Sequence, residues 1–109
     1  MGERRLHVRV KPSPELPASV RREVSAIVGE ALEVVNMSVG GMALLHGEHA
    51  PPVGSRLKTN LTLLQVSYEI ECEVRWAARG VMGVAFIAPP EETAKAIRTY
   101  VAELLERGN

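Results

Sequence analysis

The chain has 109 residues, 46% hydrophobic and 24% charged, which fits a single globular domain with one core. Thirteen basic residues balance thirteen acidic ones, so neither a basic field for nucleic acid nor a polybasic membrane surface is expected. The one cysteine, Cys72, excludes an internal disulfide and a cysteine-based zinc site. Because the chain has no apolar run of membrane-spanning length and no signal peptide, the sequence predicts a cytoplasmic domain without membrane insertion.

The N-terminal segment is basic, whereas the rest of the chain is mildly acidic. Residues 1–11 contain four cationic side chains against Glu3 alone, namely Arg4, Arg5, Arg9 and Lys11. We expect residues 1–12 to form a flexible arginine arm, because hydrophilic residues dominate its start and prolines follow it. The three prolines within residues 11–17 predict an extended connector. A basic arm in front of an acidic body suggests an anionic ligand.

The body of the chain, residues 18–88, has the pattern of five or six antiparallel strands. Residues 18–28 fit a helix face or an alternating strand, and we favour the strand because everything after them is β-like. Gly29 is expected to interrupt the pattern, and Asn36–Gly41 to form a turn of residues that tolerate positive φ. The further predicted strands are 31–35, 42–45, 57–63, 69–76 and 81–87, with a loop over 46–53 and a turn over 78–80.

The strand over residues 69–76 has the clearest alternation. Its predicted inner face carries four residues, Ile70, Cys72, Val74 and Trp76, and charged residues alternate with them. Cys72 is therefore expected to be an inert core thiol. Trp76 is expected to pack in the core or at its rim, with stacking on a ligand as the alternative.

A C-terminal helix is predicted over residues 89–107. Pro89 and Pro90 are tolerated in its first turn, and acidic residues follow at the positive end of the helix dipole. One stripe of the helix is apolar and must pack on the barrel or on a partner. The stripe contains Ala94, Ile97, Tyr100, Val101, Leu104 and Leu105.

The sequence shows no catalytic constellation, so no enzymatic activity is expected. His46 and His49 are three residues apart in a loop without a third ligand nearby, which is a weak metal motif, and no metal or other cofactor is expected. Ser38 has no obvious histidine partner and does not lie in a nucleophile-elbow motif.

Two polar motifs point instead to a phosphorylated purine. Arg5-x-x-x-Arg9 supplies two permanently charged guanidinium groups, which suit phosphate oxygens, the O6/N7 edge of guanine and purine faces. Asn36-x-Ser38-x-x-Gly41 supplies an amide, a hydroxyl and a glycine that lets backbone approach an anion closely.

The order of these motifs, followed by Glu-Val-Arg-Trp76 and Gly83-Val-Ala-Phe86, resembles the PilZ domain family over about residues 3–105. The resemblance implies an all-β fold, a six-stranded antiparallel β-barrel with one C-terminal α-helix. It also implies a bacterial receptor for cyclic di-GMP. Arg5 and Arg9 would then grip phosphates and guanine, Asn36 and Ser38 would contact guanine and nearby polar atoms, and Gly41 would permit close approach. Asn36 stands where aspartate is the commoner family residue.

The expected mechanism is ordering of the arm on ligand binding, which creates a surface for an unidentified protein effector. Arg4 adds a third guanidinium to the arm. It either stays solvated or helps to hold a second ligand in an intercalated cyclic di-GMP dimer, as the resemblance implies. The leading alternative is a PilZ-like adaptor, related to pili or motility, that binds no nucleotide. A barrel for single-stranded nucleic acid is disfavoured, because only 4% of the residues are aromatic.

Overall fold

Six strands close into an antiparallel barrel that is followed by one helix. The structure is a computed structural model and describes residues 8–23, 29–46 and 50–108. The elements are β1 (Ala18–Glu23), β2 (Gly29–Met37), β3 (Gly41–Leu45), β4 (Arg56–Leu63), β5 (Val66–Ala78), β6 (Val81–Ile87) and α1 (Glu91–Glu106). Around the barrel the strands run in the order β1-β2-β3-β6-β5-β4. The predicted six-stranded antiparallel barrel with a C-terminal helix is confirmed.

The second half of the barrel follows directly from the sequence pattern. In β4, Leu57, Thr59 and Leu61 are buried while Arg56, Lys58 and Asn60 are exposed, as the alternation predicts. The predicted turn before β6 is also present, with φ of 53° at Arg79 and 82° at Gly80. Positive φ at both central residues suits the right-handed twist of a two-residue hairpin.

The first two strands differ from the prediction in length. β1 confirms the strand interpretation up to Glu23, and residues 24–28 lie outside the described residues. β2 begins at Gly29, which pairs with Glu23 instead of interrupting the pattern. It also continues through Asn36 to Met37, past a bulge after Val34. Pairing with β1 and β3 thus extends β2 beyond the five residues that its valine-rich composition predicts.

Trp76 was predicted on the inner face of β5, and that prediction is wrong. Ile70, Cys72 and Val74 are buried as expected, but the pairing with β6 shifts between Val74 and Trp76. The extra residue of a bulge reverses the alternation. Trp76 therefore pairs with Gly83 and is 44% exposed.

The helix packs its apolar stripe on the barrel. Ile97, Tyr100, Val101 and Leu104 are buried, whereas Leu105, predicted in the same stripe, is 47% exposed. The Tyr100 hydroxyl donates a hydrogen bond of 2.6 Å to the buried carbonyl of Leu16, and burial raises the Tyr100 pKa to about 12. In the described part of the chain, no helix is long and apolar enough to cross a membrane.

Candidate functional site

The segment in front of β1 is anchored to the end of β2. Val10 is fully buried and pairs with Met37 through two backbone hydrogen bonds of 2.8 Å. Further along, Ser13 and Leu16 close a tight turn through backbone hydrogen bonds of 3.0 and 3.3 Å. The segment expected as arm and connector is therefore joined to the barrel at Val10. Arg4 and Arg5 lie outside the described residues.

This anchor brings one residue of each predicted motif together. Arg9 directly precedes Val10, and its Nη1 donates a hydrogen bond of 3.0 Å to Oδ1 of Asn36. Arg9 is exposed and Asn36 is half-buried at the end of β2. A guanidinium group carries five N–H donors, and this contact uses one of them. The pair can thus present cationic donors and an amide on the same part of the surface.

Ser38 shapes the turn that follows Asn36. Its side chain is buried, and its Oγ accepts a hydrogen bond of 3.3 Å from the backbone N–H of Gly40. The Ser38 backbone N–H donates to the Gly41 carbonyl at 2.8 Å. The carbonyl of Gly40 accepts a hydrogen bond of 2.9 Å from Phe86 N–H, which holds the turn against β6. These contacts give Ser38 a structural role in positioning the second motif.

Gly41 is required by close approach of two strands. A Cβ built on Gly41 would collide with the carbonyl oxygen of Val84 and come within 3.2 Å of the Ala85 Cα. The sequence analysis gave positive φ as a second possible reason for a glycine at this position. The described glycines with positive φ are Gly54, Gly80 and Gly108, so close approach is the cause at Gly41.

The outer face next to Asn36 has short side chains and ends in an aromatic ring. In register across four strands, Asn36 pairs with Ala43, Ala43 with Gly83, and Gly83 with Trp76. Directly paired residues of antiparallel strands project to the same face. Sequence reasoning missed the place of Trp76 beside the motifs, because the bulge that turns it outward arises from pairing with β6.

The other chemically active groups lie apart from this face. Burial raises the Cys72 pKa to about 11, and its Sγ lies 3.7 Å from the Thr59 hydroxyl inside the barrel. His46 donates its backbone N–H to Gly80, and His49 lies outside the described residues. Within residues 8–23, 29–46 and 50–108, no group of three or more histidine, cysteine or carboxylate side chains could hold a metal.

The described residues form a closed six-stranded barrel followed by one helix, and Arg9 and Asn36 are in contact on its surface. The family model described as PilZ domain matches residues 3–103, and the chain belongs to the PilZ domain family. A comparison with curated proteins finds no match.

Solved structures share the fold at low sequence identity. YcgR of Escherichia coli in complex with c-di-GMP is 14% identical with a TM-score of 0.76, covering 96% of this chain and 47% of that one. The Bacillus subtilis inhibitor of motility MotI/DgrA is 16% identical with a TM-score of 0.72, covering 94% and 52%. The Legionella protein Lpg0364 is 21% identical with a TM-score of 0.62, covering 94% and 100%. The chain thus spans about half the length of YcgR and MotI/DgrA.

Proposed function

We propose that this domain is a non-enzymatic receptor for cyclic di-GMP. The observation that carries the proposal is the 3.0 Å hydrogen bond from Arg9 to Asn36, which joins the two polar motifs on one surface. Membership of the PilZ family supports it, and so does the structural likeness to YcgR, which was solved with c-di-GMP.

In this proposal each motif residue has a separate task. Arg5 and Arg9 bind phosphate oxygens and the O6/N7 edge of guanine, because a guanidinium fork matches both in a bidentate manner. Asn36 contacts guanine, and Ser38 contributes nearby polar atoms through the turn that it shapes. Gly41 keeps the turn close to β6, so that the backbone can approach the ligand.

Signalling would use the segment in front of the anchor. Val10 fixes one end of this segment on the barrel, and the ligand would order the residues before it by bridging them to residues 36–41, at the end of β2 and the start of β3. The ordered arm and the ligand would together form a new surface for an unidentified protein effector in the cytoplasm. The alternative adaptor function uses the same barrel without nucleotide.

We further propose that two ligand molecules can bind per chain. One cyclic di-GMP carries two negative charges, whereas Arg4, Arg5, Arg9 and Lys11 supply four positive ones. An intercalated ligand dimer would offer further phosphates to Arg4. Titration at protein concentrations far above the dissociation constant should give two ligands per chain, and one in Arg4→Ala. An equivalence point of one that is unchanged in Arg4→Ala would contradict the dimer.

Calorimetric titration with cyclic di-GMP tests the proposed function. We expect saturable binding of cyclic di-GMP and none of comparable strength for GTP or cyclic di-AMP, which lack one feature each of the expected ligand. If cyclic di-GMP gives no binding by calorimetry or by thermal shift, the receptor function is wrong and the adaptor function replaces it.

A further inference from the structure

The hairpin that joins β4 to β5 lies beside α1, and an open groove of about 350 Å³ separates them. Val66 pairs with the buried Leu63, so both residues project to the side of the hairpin that lines the groove. Leu64 and Val66 are nevertheless 43% and 52% exposed. We propose that a second copy of this chain covers the groove, and that the protein forms a two-fold symmetric dimer through α1 and the hairpin. The dimer is independent of the proposed cyclic di-GMP function.

The turn of this hairpin holds an apolar side chain in a backbone conformation that does not favour it. Leu64 and Gln65 have φ of 50° and 76°, in the left-handed region that asparagine and glycine adopt most readily. A leucine there costs backbone strain, and its side chain is exposed instead of buried in the core of its own chain. The fold of one chain therefore does not explain a leucine at this position, whereas burial against another chain does.

On the other side of the groove, α1 carries short side chains between charged ones. Ala96 and Thr99 line the groove, and Glu92 and Glu103 lie on the same face of the helix toward its two ends. The short side chains leave space beside the helix that an apolar side chain of another chain can fill. The surface thus contains both a protruding leucine and a hollow that accepts one, as a self-complementary two-fold interface requires.

The charges beside the groove favour a second copy as its occupant. Glu103 pairs with Arg107 at 3.7 Å, whereas Glu92 and Lys95 have no ion-pair partner within the described part of the chain. One unpaired charge of each sign, three residues apart on the helix, makes this surface complementary to itself. A two-fold axis between antiparallel α1 helices brings Glu92 of each copy to Lys95 of the other, so that both charges are paired in the dimer.

Apolar burial supplies the affinity of this dimer, and the charges set its orientation. Association removes Leu64 and Val66 of both copies from water, whereas exposed ion pairs contribute little to affinity. Since the barrel is closed, the two copies meet through side chains and not by pairing of strand edges. One hairpin and one helix face make a small interface, so we expect a dimer that dissociates reversibly on dilution.

Sedimentation equilibrium of the ligand-free protein gives the first test. Between micromolar and millimolar protein, we expect the apparent mass to rise from that of one chain toward that of two. A protein that stays monomeric at millimolar concentration would mean that a different partner covers the groove, and would overturn the dimer. Because no cyclic di-GMP is present, this outcome is separate from that of the receptor function.

Leu64→Asn separates association from folding. Asparagine suits the left-handed φ at this position, so the melting temperature of the monomer should stay the same or rise. The dissociation constant of the dimer should increase roughly tenfold or more, because each half of the interface loses an apolar side chain. Val53→Asn is the matched control, since Val53 is 64% exposed outside the groove and should leave association unchanged. Equal dissociation constants of wild type and Leu64→Asn would overturn the proposal.

Glu92→Lys and Lys95→Glu test the two-fold arrangement. Each variant alone brings like charges together across the axis, so its self-association should weaken. An equimolar mixture of the two variants should associate again, because each lysine then faces a glutamate of the other variant. Arg98→Glu is the control, since Arg98 pairs with Glu91 outside the groove. A mixture that associates no more strongly than either variant alone would overturn the two-fold dimer.

Discussion

Two outer faces of the barrel, one on β4 and β5 and the other on β3 and β6, have the same antiparallel backbone pairing and differ in their outward side chains. On β4 and β5, Arg56 contacts Glu73 at 3.2 Å and Glu71 at 3.4 Å, and Thr62 lies 2.8 Å from Ser67. On β3 and β6, the outward positions next to the motifs carry Gly41, Ala43, Gly83 and Ala85. Polar side chains that contact one another stand on the β4–β5 face, whereas glycine and alanine leave the β3–β6 face, called the open face below, without long side chains of its own strands.

This difference shows that outward residues on different strands of one barrel can have different roles. Exposed ion pairs contribute little to stability, typically below about 1 kcal/mol, so the β4–β5 face chiefly keeps its strands solvated. The β3–β6 face loses side-chain coverage at Gly41 and Gly83, and both glycines are required by a neighbouring group. Substitutions on the two faces should therefore have different consequences.

The largest expected effect on stability comes from removing α1, which packs on the barrel that carries both faces. Deletion of residues 94–109 removes Ile97, Tyr100, Val101 and Leu104 from the core. Burial of each such side chain contributes roughly 1.5–3 kcal/mol, so the sum is comparable to the whole stability of a small domain. We expect an aggregating or unfolded product by size-exclusion chromatography and circular dichroism. A soluble truncation with a cooperative thermal transition would show that the helix serves another purpose.

The next largest effect is expected from Gly41→Val on the open face. Its side chain must push β3 away from the carbonyl of Val84, which should cost on the order of 3 kcal/mol and lower the melting temperature by more than 10 °C. Cyclic di-GMP binding should fall with it.

Gly29→Val is the matched control for this effect, because the nearest described atoms to a Cβ there belong to the flexible side chain of Arg21, at 3.2 Å. We expect a small change in melting temperature for this variant. Similar losses in the two variants would mean that the close approach at Gly41 is unimportant.

Arg9→Ala should separate ligand binding from stability on the open face. Loss of a charge-assisted bidentate contact corresponds to roughly 2–3 kcal/mol, or about thirty- to a hundredfold in affinity for cyclic di-GMP. The melting temperature of the ligand-free protein should hardly change, because Arg9 is exposed. Arg98→Ala, which removes an exposed arginine that pairs with Glu91 on the helix, is the control. Equal affinity of wild type and Arg9→Ala would refute the site.

The smallest effect is expected on the charged face. Arg56→Ala removes two exposed ion pairs with Glu71 and Glu73, and we expect it to lower the free energy of unfolding by about 1 kcal/mol or less. Ligand affinity should stay unchanged at physiological ionic strength. A tenfold drop in affinity would show that the two faces are not independent.

Local sequence patterns predicted most of the fold because they coincide with the pairing of strands. Alternation placed β4 and most of β5, and the apolar stripe with the two prolines expected in the first turn indicated the helix. The pattern failed at Trp76 and at the ends of β2, where bulges and partner strands decide which residues pair. Register is a long-range property, and a shift by one residue reverses every side chain beyond it.

The candidate site was predictable in its composition but only partly in its geometry. The motif spacing singled out Arg9 and Asn36, which the structure brings within hydrogen-bond distance. The burial of Ser38 and the cause of the glycine at position 41 depend on contacts with β6, far away in the sequence. The ligand roles of all six residues remain predictions, namely those of Arg4, Arg5, Arg9, Asn36, Ser38 and Gly41.

The buried thiol of Cys72 allows the opening of this barrel to be measured by chemical labelling. It is the chain's only cysteine, and burial raises its pKa to about 11, so a thiol-specific reagent at neutral pH meets neither an accessible nor an ionised sulfur. Labelling then requires that β5 separate from its neighbours, and the labelling rate reports the frequency of that event. A ligand that binds across β2, β3 and β6 should slow labelling. The labelling rate of Cys72 therefore measures how a ligand changes the local opening of the barrel.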